Sequence, residues 1–394
     1  MKKKIGIRRV NSPHTKYLLL KFNNAIESIE TSRNSHGNLI YMILFCNVQA
    51  ANQFKDYFKQ DEATVIDYQP RLHEPNKKDD YFESYNLTFI HKVMLGDENR
   101  NKAYYKAVLH NPKFFKDKII MDIGAGSGIL SLFAARAGAK RVYAIEAVSG
   151  MAEVCRQIVH VNGFEDVIKV VESRVEQIEG IGKSVDVIMS EWMGYCMFYE
   201  GMLHSVLYAR DRFLKERGLL FPNKACLKLF GYSDPSILQK RMCRLSCPNQ
   251  LYDYSCLKEN TLSMALVQTC NNKATKTCTL LSIDLETWNI PKNGLLLDSN
   301  WKLLHKNNTE SARIDGFVIY FNVSFTHGAE SVTLSTQPME KNKSNHWAQT
   351  LLLLKEPIKF LDCLSGHLRI RERSLRQLEF DLNLENAPLK KYYL

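Results

Sequence analysis

The sequence predicts an α/β domain that is followed by an antiparallel β domain. Between about residues 80 and 222, short continuous apolar runs alternate with helical patterns. Beyond residue 222 the apolar side chains recur at every second position, as they do at 319–325 and 378–384. Continuous apolar strands joined by helices indicate a parallel sheet covered on both faces, whereas a period of two indicates antiparallel strands. The 394 residues are enough for two or three domains.

A separate, β-rich module is predicted at residues 1–75. Apolar runs at 17–22 and 39–45 predict strands, and residues 48–59 predict an amphipathic helix. A polar stretch with two prolines, at about 69–80, is the best linker candidate. The residues of this module do not indicate a role for it.

The α/β domain, residues 76–222, is built around a glycine-rich turn. An apolar run at 118–123 leads into the turn, and a helix is predicted directly after it at 129–137, closed by Gly138. Four more strands are predicted, at 141–146, 167–171, 185–189 and 218–221. Ligands bind such sheets at the carboxyl ends of the strands, which is where the turn lies.

The antiparallel domain, residues 223–394, is predicted to be a barrel or a sandwich. Ile319, Phe321 and Val323 are expected to face inward and to alternate with polar or outward residues. Residues 234–262 break the alternation and predict a helical insertion.

The composition of the chain limits the classes of protein to which it could belong. No run of about 18 apolar residues predicts a membrane span, and the basic N-terminus is not followed by the apolar stretch of a secretion signal. We therefore expect a protein of the nucleus or the cytoplasm. The ten cysteines are scattered singly without zinc-ligand spacing, so no metal site is predicted. The net charge of +11 is interpreted as solvated surface lysines, with a nucleic-acid partner or an anionic surface as the alternatives. We therefore expect contact with nucleic acid only indirectly.

The glycine-rich turn predicts a nucleoside cofactor. Gly124, Gly126 and Gly128 alternate, which differs from the G-x-G-x-x-G pattern of dinucleotide sites. Asp122 precedes them and would repel a phosphate but attract an ammonium group. Glu146 ends the next predicted strand, where an acid can bind both ribose hydroxyls. S-adenosyl-L-methionine carries an ammonium group and a ribose but no pyrophosphate, and it is the predicted cofactor.

Two acids on an apolar loop predict a cationic substrate. Glu191 and Glu200 flank aromatic residues and methionines, and the loop starts where the strand at 185–189 ends. Acids in an apolar setting are costly unless a cation pairs with them. The guanidinium ion is planar and matches carboxylates with two hydrogen bonds. The two motifs together predict methyl transfer to a guanidinium group.

These motifs resemble those of the protein arginine methyltransferases, the type I class in particular. The most specific is SEWMGYCMFYE at 190–200, and MDIGAGSGILS at 121–131 is similar to the cofactor loop of the family. YFESY at 81–85 and NHW at 345–347 add to the match, which covers roughly residues 80–385. The resemblance implies a Rossmann-like methyltransferase sheet, then a β-barrel whose arm at about residues 234–262 forms a homodimer.

The resemblance also implies roles for individual residues. Glu191 and Glu200 would grip the arginine, Arg100 would hold the cofactor carboxylate, and His346 would pair with Asp97. Glu146 would bind the ribose and Glu176 would lie near the adenine. The implied catalytic residues are Glu191, Glu200, His346 and Asp97. The implied cofactor-binding residues are His91, Arg100, Asp122, Gly124, Gly126, Gly128, Glu146 and Glu176. The residues implied to shape substrate and product are Tyr85, Met94, Met202 and Trp347.

The implied product is asymmetric dimethylarginine, because slim methionines leave room for a second methyl group. The implied substrates are histone tails and Gly/Arg-rich segments, and DGF at 315–317 favours the nuclear, histone-modifying branch. Asn345 stands where the family has threonine, and Phe89 is bulkier than usual. The alternatives are a catalytically weak scaffold homologue, a nucleic-acid methyltransferase and, less favoured, a small-molecule methyltransferase.

Overall fold

The structure, a computed structural model, forms two compact units, Met1–Asp79 and Asp80–Leu394. The second unit begins close to the predicted end of the linker. The described residues are 3–7, 26–33, 39–45, 65–68, 88–243, 256–306, 312–338, 345–374, 376–385 and 388–394. The predicted strand at 17–22, the predicted helix at 48–59, the predicted linker and Tyr85 lie outside them.

The first unit contains a four-stranded antiparallel sheet. Its strands are β1 (Lys3–Ile7), β2 (Ile26–Arg33), β3 (Leu39–Phe45) and β4 (Val65–Tyr68), in the order β2-β3-β1-β4. The predicted strand at 39–45 is confirmed as the central strand β3, which pairs with both β1 and β2.

The second unit starts with a five-stranded sheet in which every pair is parallel. Its strands are β5 (Ile119–Ile123), β6 (Arg141–Glu146), β7 (Ile168–Glu172), β8 (Val185–Ser190) and β9 (Leu214–Phe221), in the order β7-β6-β5-β8-β9. The predicted parallel sheet is confirmed. β9 starts four residues earlier than predicted. Its pairing with β8 shifts register near its start, so the strand includes a short irregular segment there. The strand order reverses between β5 and β8, which creates a crevice at their carboxyl ends.

Five helices precede or connect these strands within the described part of residues 88–213. They are α1 (Thr88–Gly96), α2 (Glu98–Leu109), α3 (Ile129–Arg136), α4 (Ser149–Val161) and α5 (Met202–Phe213). The predicted helix after the glycine turn is confirmed as α3, and it ends before Gly138, whose φ is +91°. No helix among the described residues is long and apolar enough to cross a membrane.

Two antiparallel sheets make up the rest of the chain. The first has the order β11-β16-β14-β10-β12 with β15 on β14, and the second has the order β13-β17-β18-β19. Their strands are β10 (Lys224–Tyr232), β11 (Leu266–Gln268), β12 (Cys278–Asp284), β13 (Leu295–Leu304), β14 (Ala312–Phe325), β15 (Val332–Ser335), β16 (Gln349–Phe360), β17 (Cys363–Ser374), β18 (Gln377–Leu384) and β19 (Lys390–Tyr393). One continuous apolar core runs from the parallel sheet into both antiparallel sheets.

The predicted alternation of inward apolar and outward polar residues is wrong in the middle of β14. Val318 and Tyr320 point away from Phe321 yet are buried, together with Phe230 of β10. Two short helices, α6 (Pro235–Cys243) and α7 (Leu257–Leu262), contribute apolar side chains to this second cluster. The outer face of the sheet is therefore covered by the helical insertion, so both faces require apolar residues. Residues 244–255 of the insertion lie outside the described residues.

Candidate active site

The glycine turn leaves no room for side chains between β5 and α3. Gly124, Gly126 and Gly128 have φ values of +68°, +54° and +80°, which glycine adopts without strain. A Cβ atom on Gly124 would lie 2.1 Å from Cε of Met202, and one on Gly128 would lie 2.8 Å from Sγ of Cys155. Conformation therefore favours glycine at all three positions, and the Cys155 sulfur also restricts the space at Gly128.

Glu146, at the end of β6, fixes the turn from the neighbouring strand. Its two carboxylate oxygens accept hydrogen bonds from the backbone N–H groups of Gly126 and Val148, each at 2.8 Å. Val148 is the residue before α4, so the same carboxylate also stabilises the start of that helix.

Asp122 is a fully buried acid with one open oxygen. Its Oδ2 accepts a hydrogen bond from the Ser131 hydroxyl at 2.7 Å, while no group in the described part of the chain donates to Oδ1. Burial raises the pKa of Asp122 to about 6; the Ser131 hydrogen bond opposes this rise and the charge of Glu146 adds to it. A buried acceptor of this kind is suited to a positively charged donor.

The loop between β8 and α5 has a tight and strained backbone. Cys196, Met197 and Glu200 have φ values of +51°, +69° and +91°, which non-glycine residues rarely adopt. The backbones of Gly194 and Met197 exchange two hydrogen bonds, of 3.1 and 3.0 Å. A Cβ atom on Gly194 would lie 1.6 Å from the carbonyl oxygen of Tyr199, so no other residue fits there. Strain of this kind is concentrated at functional sites.

Glu191, the first acid of this loop, is paired on one side and open on the other. Its Oε2 accepts a hydrogen bond from Nε of Arg100 at 3.0 Å, whereas Oε1 is buried and has no hydrogen-bond partner among the described residues. The Glu191 side chain is only 9% exposed. Glu200, the second acid, is half-buried at the end of the same loop. The open oxygen of Glu191 is thus available to a second cationic donor.

The antiparallel sheets contribute a second set of contacts to the site. His346 donates its backbone N–H to Asp97 at 3.0 Å, and its ring Nδ1 lies 2.8 Å from the same carboxylate. Asp97 also caps α2 by accepting the N–H of Arg100. Burial alone would raise the pKa of Asp97, but the hydrogen bonds from His346 and from Arg100 outweigh it and hold the pKa below its usual value. The structure therefore brings together Asp97, Arg100, Glu191 and His346.

Trp347 connects the same segment to the loop of the two acids. Its Nε1 donates a hydrogen bond to the carbonyl oxygen of Met193 at 2.6 Å, and both residues are buried. Because Met193 lies two residues after Glu191, this bond ties the position of the acid to the antiparallel sheets.

The remaining predicted residues differ in how closely the structure defines them. Met202 is half-buried and lies against Gly124, and Met94 is half-buried near the end of α1. Glu176 accepts a hydrogen bond from the Ser205 hydroxyl of α5 at 2.6 Å. His91 lies in α1, where only the backbone is described.

Three polar residues of the site escaped the sequence analysis. Tyr104 donates its hydroxyl to the carbonyl oxygen of Ser190 at 2.9 Å, and the Ser190 hydroxyl donates to the carbonyl oxygen of Ile123 at 2.9 Å. These bonds join α2, β8 and β5 below the crevice. Ser131, the donor to Asp122, is the third. The partners of Tyr104 and Ser190 are distant in the chain, so no local pattern identifies these two residues. No group of residues that could hold a metal ion occurs in the described part of the chain.

Comparisons with known proteins identify the family. A model described as Methyltransferase domain matches residues 120–218, and one described as Arginine methyltransferase oligomerization subdomain matches residues 239–386. Protein arginine N-methyltransferase 1 of Oryza sativa subsp. indica is 38% identical over 311 residues, which are 78% of each chain. The chain belongs to the protein arginine N-methyltransferase family. The protein arginine N-methyltransferase 1 of Caenorhabditis elegans is 36% identical over 80% of this chain and 90% of its own.

Solved structures of arginine methyltransferases share this fold. A Trypanosoma brucei enzyme–prozyme heterotetrameric complex with S-adenosylhomocysteine matches with a TM-score of 0.72 and 33% identity, over 79% of this chain and 99% of that one. Protein arginine methyltransferase 10 of Arabidopsis thaliana matches with a TM-score of 0.68 and 27% identity, over the same shares. The chain is an S-adenosylmethionine-dependent protein arginine N-methyltransferase. These comparisons confirm the family resemblance, the enzyme class, the cofactor and the fold class that the sequence predicted.

The residues of this methyltransferase fit S-adenosylmethionine on physical grounds as well. Asp122 offers a buried open oxygen to an ammonium group, and the glycine turn allows a ligand to approach the backbone closely. Glu146 lies beside the turn at the end of β6 and accepts the N–H of Gly126. The crevice between β5 and β8 is where a ligand of this fold is expected.

Proposed function

We propose that this methyltransferase produces mono- and asymmetric dimethylarginine in histone tails and Gly/Arg-rich protein segments. The observation that carries the proposal is the buried, open Oε1 of Glu191 beside the fixed cation of Arg100. A buried carboxylate oxygen without a donor is costly, and a substrate guanidinium would satisfy it. Histone tails as substrates would place the enzyme in the nucleus, and Gly/Arg-rich proteins in the nucleus or the cytoplasm.

Each residue of the cofactor site would bind one part of S-adenosylmethionine. S-adenosylmethionine supplies an electrophilic methyl group on a sulfonium centre. Arg100 would bind its carboxylate and Asp122 its ammonium group. Glu146 would bind the ribose. Glu176 would lie near the adenine, and His91 would lie against the cofactor.

On the substrate side, Glu191 and Glu200 would bind the guanidinium and make it nucleophilic. The free guanidinium ion has a pKa above 12 and shares its charge over three nitrogens, so it attacks poorly. Two carboxylates that bind one edge would localise the charge there and orient the remaining nitrogen toward the methyl group. Such alignment contributes several kcal/mol to lowering the barrier. One of the carboxylates accepts the proton that the alkylated nitrogen loses.

The choice of product would depend on the space beside the reacting nitrogen. Met94 and Met202 are half-buried, and Met202 lies against the glycine turn. Unbranched methionine side chains leave room for a nitrogen that already carries one methyl group. A difference of one carbon is worth only about 1–3 kcal/mol, so product choice is sensitive to a single substitution here.

The arm would mediate a homodimer through its exposed apolar residues. Leu257 is 43% exposed at the start of α7 and Met264 is 49% exposed just after that helix. The match to an oligomerization subdomain supports this assignment. Changing both residues to aspartate is expected to shift the protein to monomers in sedimentation velocity. The control is Leu361→Asp, a residue that is 70% exposed in the β16–β17 turn. An unchanged dimer in the double variant would contradict the arm assignment.

The reaction is tested with labelled S-adenosylmethionine, a histone-tail peptide and a Gly/Arg-rich peptide, followed by mass spectrometry of the modified residue. We expect asymmetric dimethylarginine, and a loss of at least about 100-fold in kcat for Glu191→Gln. The exposed Glu153→Gln serves as control and should retain activity. Transfer by Glu191→Gln at the wild-type rate would refute the guanidinium clamp. Cofactor binding without transfer to either peptide would favour the scaffold alternative. Methyl transfer in a parallel reaction that contains RNA in place of the peptides would favour the nucleic-acid alternative.

A further inference from the structure

The excess positive charge of the second unit lies on one part of the chain. Residues 80–222 contain 18 basic and 18 acidic residues, whereas residues 223–394 contain 22 basic and 16 acidic residues. The antiparallel sheets therefore carry the surplus. A surplus of this kind on one domain acts on charged partners at a distance and raises the rate at which anions associate.

Many basic residues of these sheets are neutralised by neighbours. On β17 and β19, Arg369 pairs with Asp298, Arg371 with Asp381, and Lys391 with both Glu379 and Asp381. These pairs form a ladder across β13, β17, β18 and β19, where each cation faces a carboxylate. The face of this sheet therefore presents alternating charges rather than a positive field.

Four other lysines of the antiparallel domain are different, because none of them forms an ion pair with any described residue. One lies in β10, two lie in the segment before β12, and one lies two residues after the end of β13. We call them the lysine patch, and they are Lys228, Lys273, Lys276 and Lys306.

The backbone brings the lysine patch together. Lys228, Phe230 and Tyr232 alternate along β10 and so share one face of the sheet. Lys273 forms a bridge with Tyr232 and extends its Nζ over the Phe230 ring, 5.6 Å from the ring centroid. Lys273 therefore reaches back toward Lys228 along the same face.

The other two lysines lie where the segment before β12 meets the end of β13. Thr275 forms a bridge with His305, and the backbone N–H of Lys276 donates to the carbonyl oxygen of Leu304 at 2.8 Å. Lys276 and Lys306 are both exposed and each follows one residue of that bridge. Burial lowers the pKa of Lys273, and the charges of Lys306 and Lys228 lower it further. Like charges are thus close enough to repel one another.

The acid nearest to Lys228 along the chain forms no ion pair with the patch. The Asp234 carboxylate accepts hydrogen bonds from the Tyr232 hydroxyl, the Ser236 backbone N–H and the Asn272 amide, at 3.2, 2.9 and 3.1 Å. It therefore belongs to a local turn that starts α6. Repelling lysines without a counter-charge are stabilised when an anion binds across them.

We propose that the lysine patch binds the phosphate backbone of a nucleic acid, without regard to sequence. The cations are all lysines, which bind phosphate as point charges, whereas carboxylate recognition favours the fork of arginine. The aromatic rings beneath the patch, Phe230 and Tyr232, are buried and so offer no stacking surface to bases. Contacts are therefore limited to the backbone, which positions a nucleic acid but carries no sequence information.

This binding is separate from the methyl transfer proposed above. A cationic substrate segment is repelled by the patch, so the patch and the acids of the Glu191 loop select ligands of opposite charge. The enzyme thereby gains a means of concentrating at nucleic acid without using its catalytic loop. Methylation of a short free peptide does not depend on the patch.

The test uses fluorescence anisotropy of the full chain with a labelled single-stranded RNA of 20 nucleotides, titrated at several salt concentrations. In the patch variant all four lysines are changed to glutamine. The matched control neutralises four exposed lysines of the α/β domain that form no ion pair with described residues, namely Lys106, Lys140, Lys169 and Lys183. Thermal unfolding and methylation of a short peptide are measured for both proteins.

The patch variant should bind RNA at least about tenfold more weakly than the control at moderate salt, and its log–log salt slope should fall by about 3. Peptide methylation is expected to be unchanged in both proteins. Single-stranded DNA should bind about as well as RNA, because the phosphates are shared. Equal RNA binding by the patch variant and the control would overturn the proposal, and so would tighter binding of a polyglutamate peptide than of RNA.

Discussion

Replacing Asp122 by asparagine separates the stability of the fold from cofactor binding. Asp122 is fully buried, and its pKa is raised from 3.8 to about 6 in the folded protein. Asparagine keeps an acceptor for the Ser131 hydroxyl but cannot ionise. Between the two pKa values the folded protein holds more protons at this position than the unfolded chain, so stability falls as the pH rises through that window. The whole shift corresponds to about 3 kcal/mol, of which about 1.4 kcal/mol is lost between pH 5 and pH 7.5.

As the pH rises, the stability of the wild type is expected to fall, whereas its affinity for the cofactor is expected to rise. Without cofactor, the free energy of unfolding of Asp122→Asn relative to wild type should rise by about 1.4 kcal/mol from pH 5 to pH 7.5. The affinity of the wild type for S-adenosylhomocysteine should instead fall about tenfold from pH 7 to pH 5, as the carboxylate that faces the ammonium group becomes protonated. The variant should bind more weakly at neutral pH and show a flatter pH dependence.

Urea unfolding followed by tryptophan fluorescence, at a series of pH values and with and without S-adenosylhomocysteine, measures both quantities. Asp166→Asn is the control, because this acid of the same domain is exposed. A difference in unfolding free energy between Asp122→Asn and wild type that does not change with pH would refute the burial argument. Equal cofactor affinity of the two proteins at pH 7.5 would refute the role of Asp122 toward the ammonium group.

Three further substitutions test the loop and the product. Gly194→Ala should lower kcat about 100-fold or more, since its Cβ would lie 1.6 Å from a backbone oxygen, whereas Gly163→Ala, at φ +70° in open space, should keep activity. Trp347→Phe leaves the buried carbonyl of Met193 without its donor and should cost about 1–3 kcal/mol of stability in thermal unfolding. Met94→Phe should shift the product from dimethyl- toward monomethylarginine in mass spectrometry.

Each of these three expectations has an outcome that contradicts it. Full activity of Gly194→Ala would show that the loop can relax away from Tyr199. A Trp347→Phe protein with wild-type stability would mean that the Met193 carbonyl finds another donor. An unchanged product ratio in Met94→Phe would show that the methionine does not limit the space beside the nitrogen.

The strands of the parallel sheet were predictable because each contains a short apolar run. The predicted strand at 141–146 coincides with β6, whereas β9 starts four residues before its predicted position at a register shift. Val318 and Tyr320 break the expected alternation because α6 and α7 cover the outer face of the sheet. A pattern of apolar residues reports that a face is buried, but it does not report which element buries it.

At the site, too, the sequence located residues along the chain but did not show which of them are close together in space. Glu191, Glu146 and the glycine turn follow strands directly, so the sequence alone placed them at the ligand edge of the sheet. The pairing of His346 with Asp97, 249 residues apart, was implied only by the family resemblance. The hydrogen bond from Tyr104 to Ser190 was implied by nothing in the chain.

The sequence by itself determined the class of fold and the cofactor, and it predicted the chemistry of the two acids, because periodicity, glycine spacing and residue type are local properties of the chain. Only the tertiary structure decided that Arg100 pairs with one oxygen of Glu191 and leaves the other open, and that one oxygen of Asp122 is buried without a donor. Hydrogen-bond partners and burial depend on residues that are distant in the chain and become neighbours only when the sheets pack around one core.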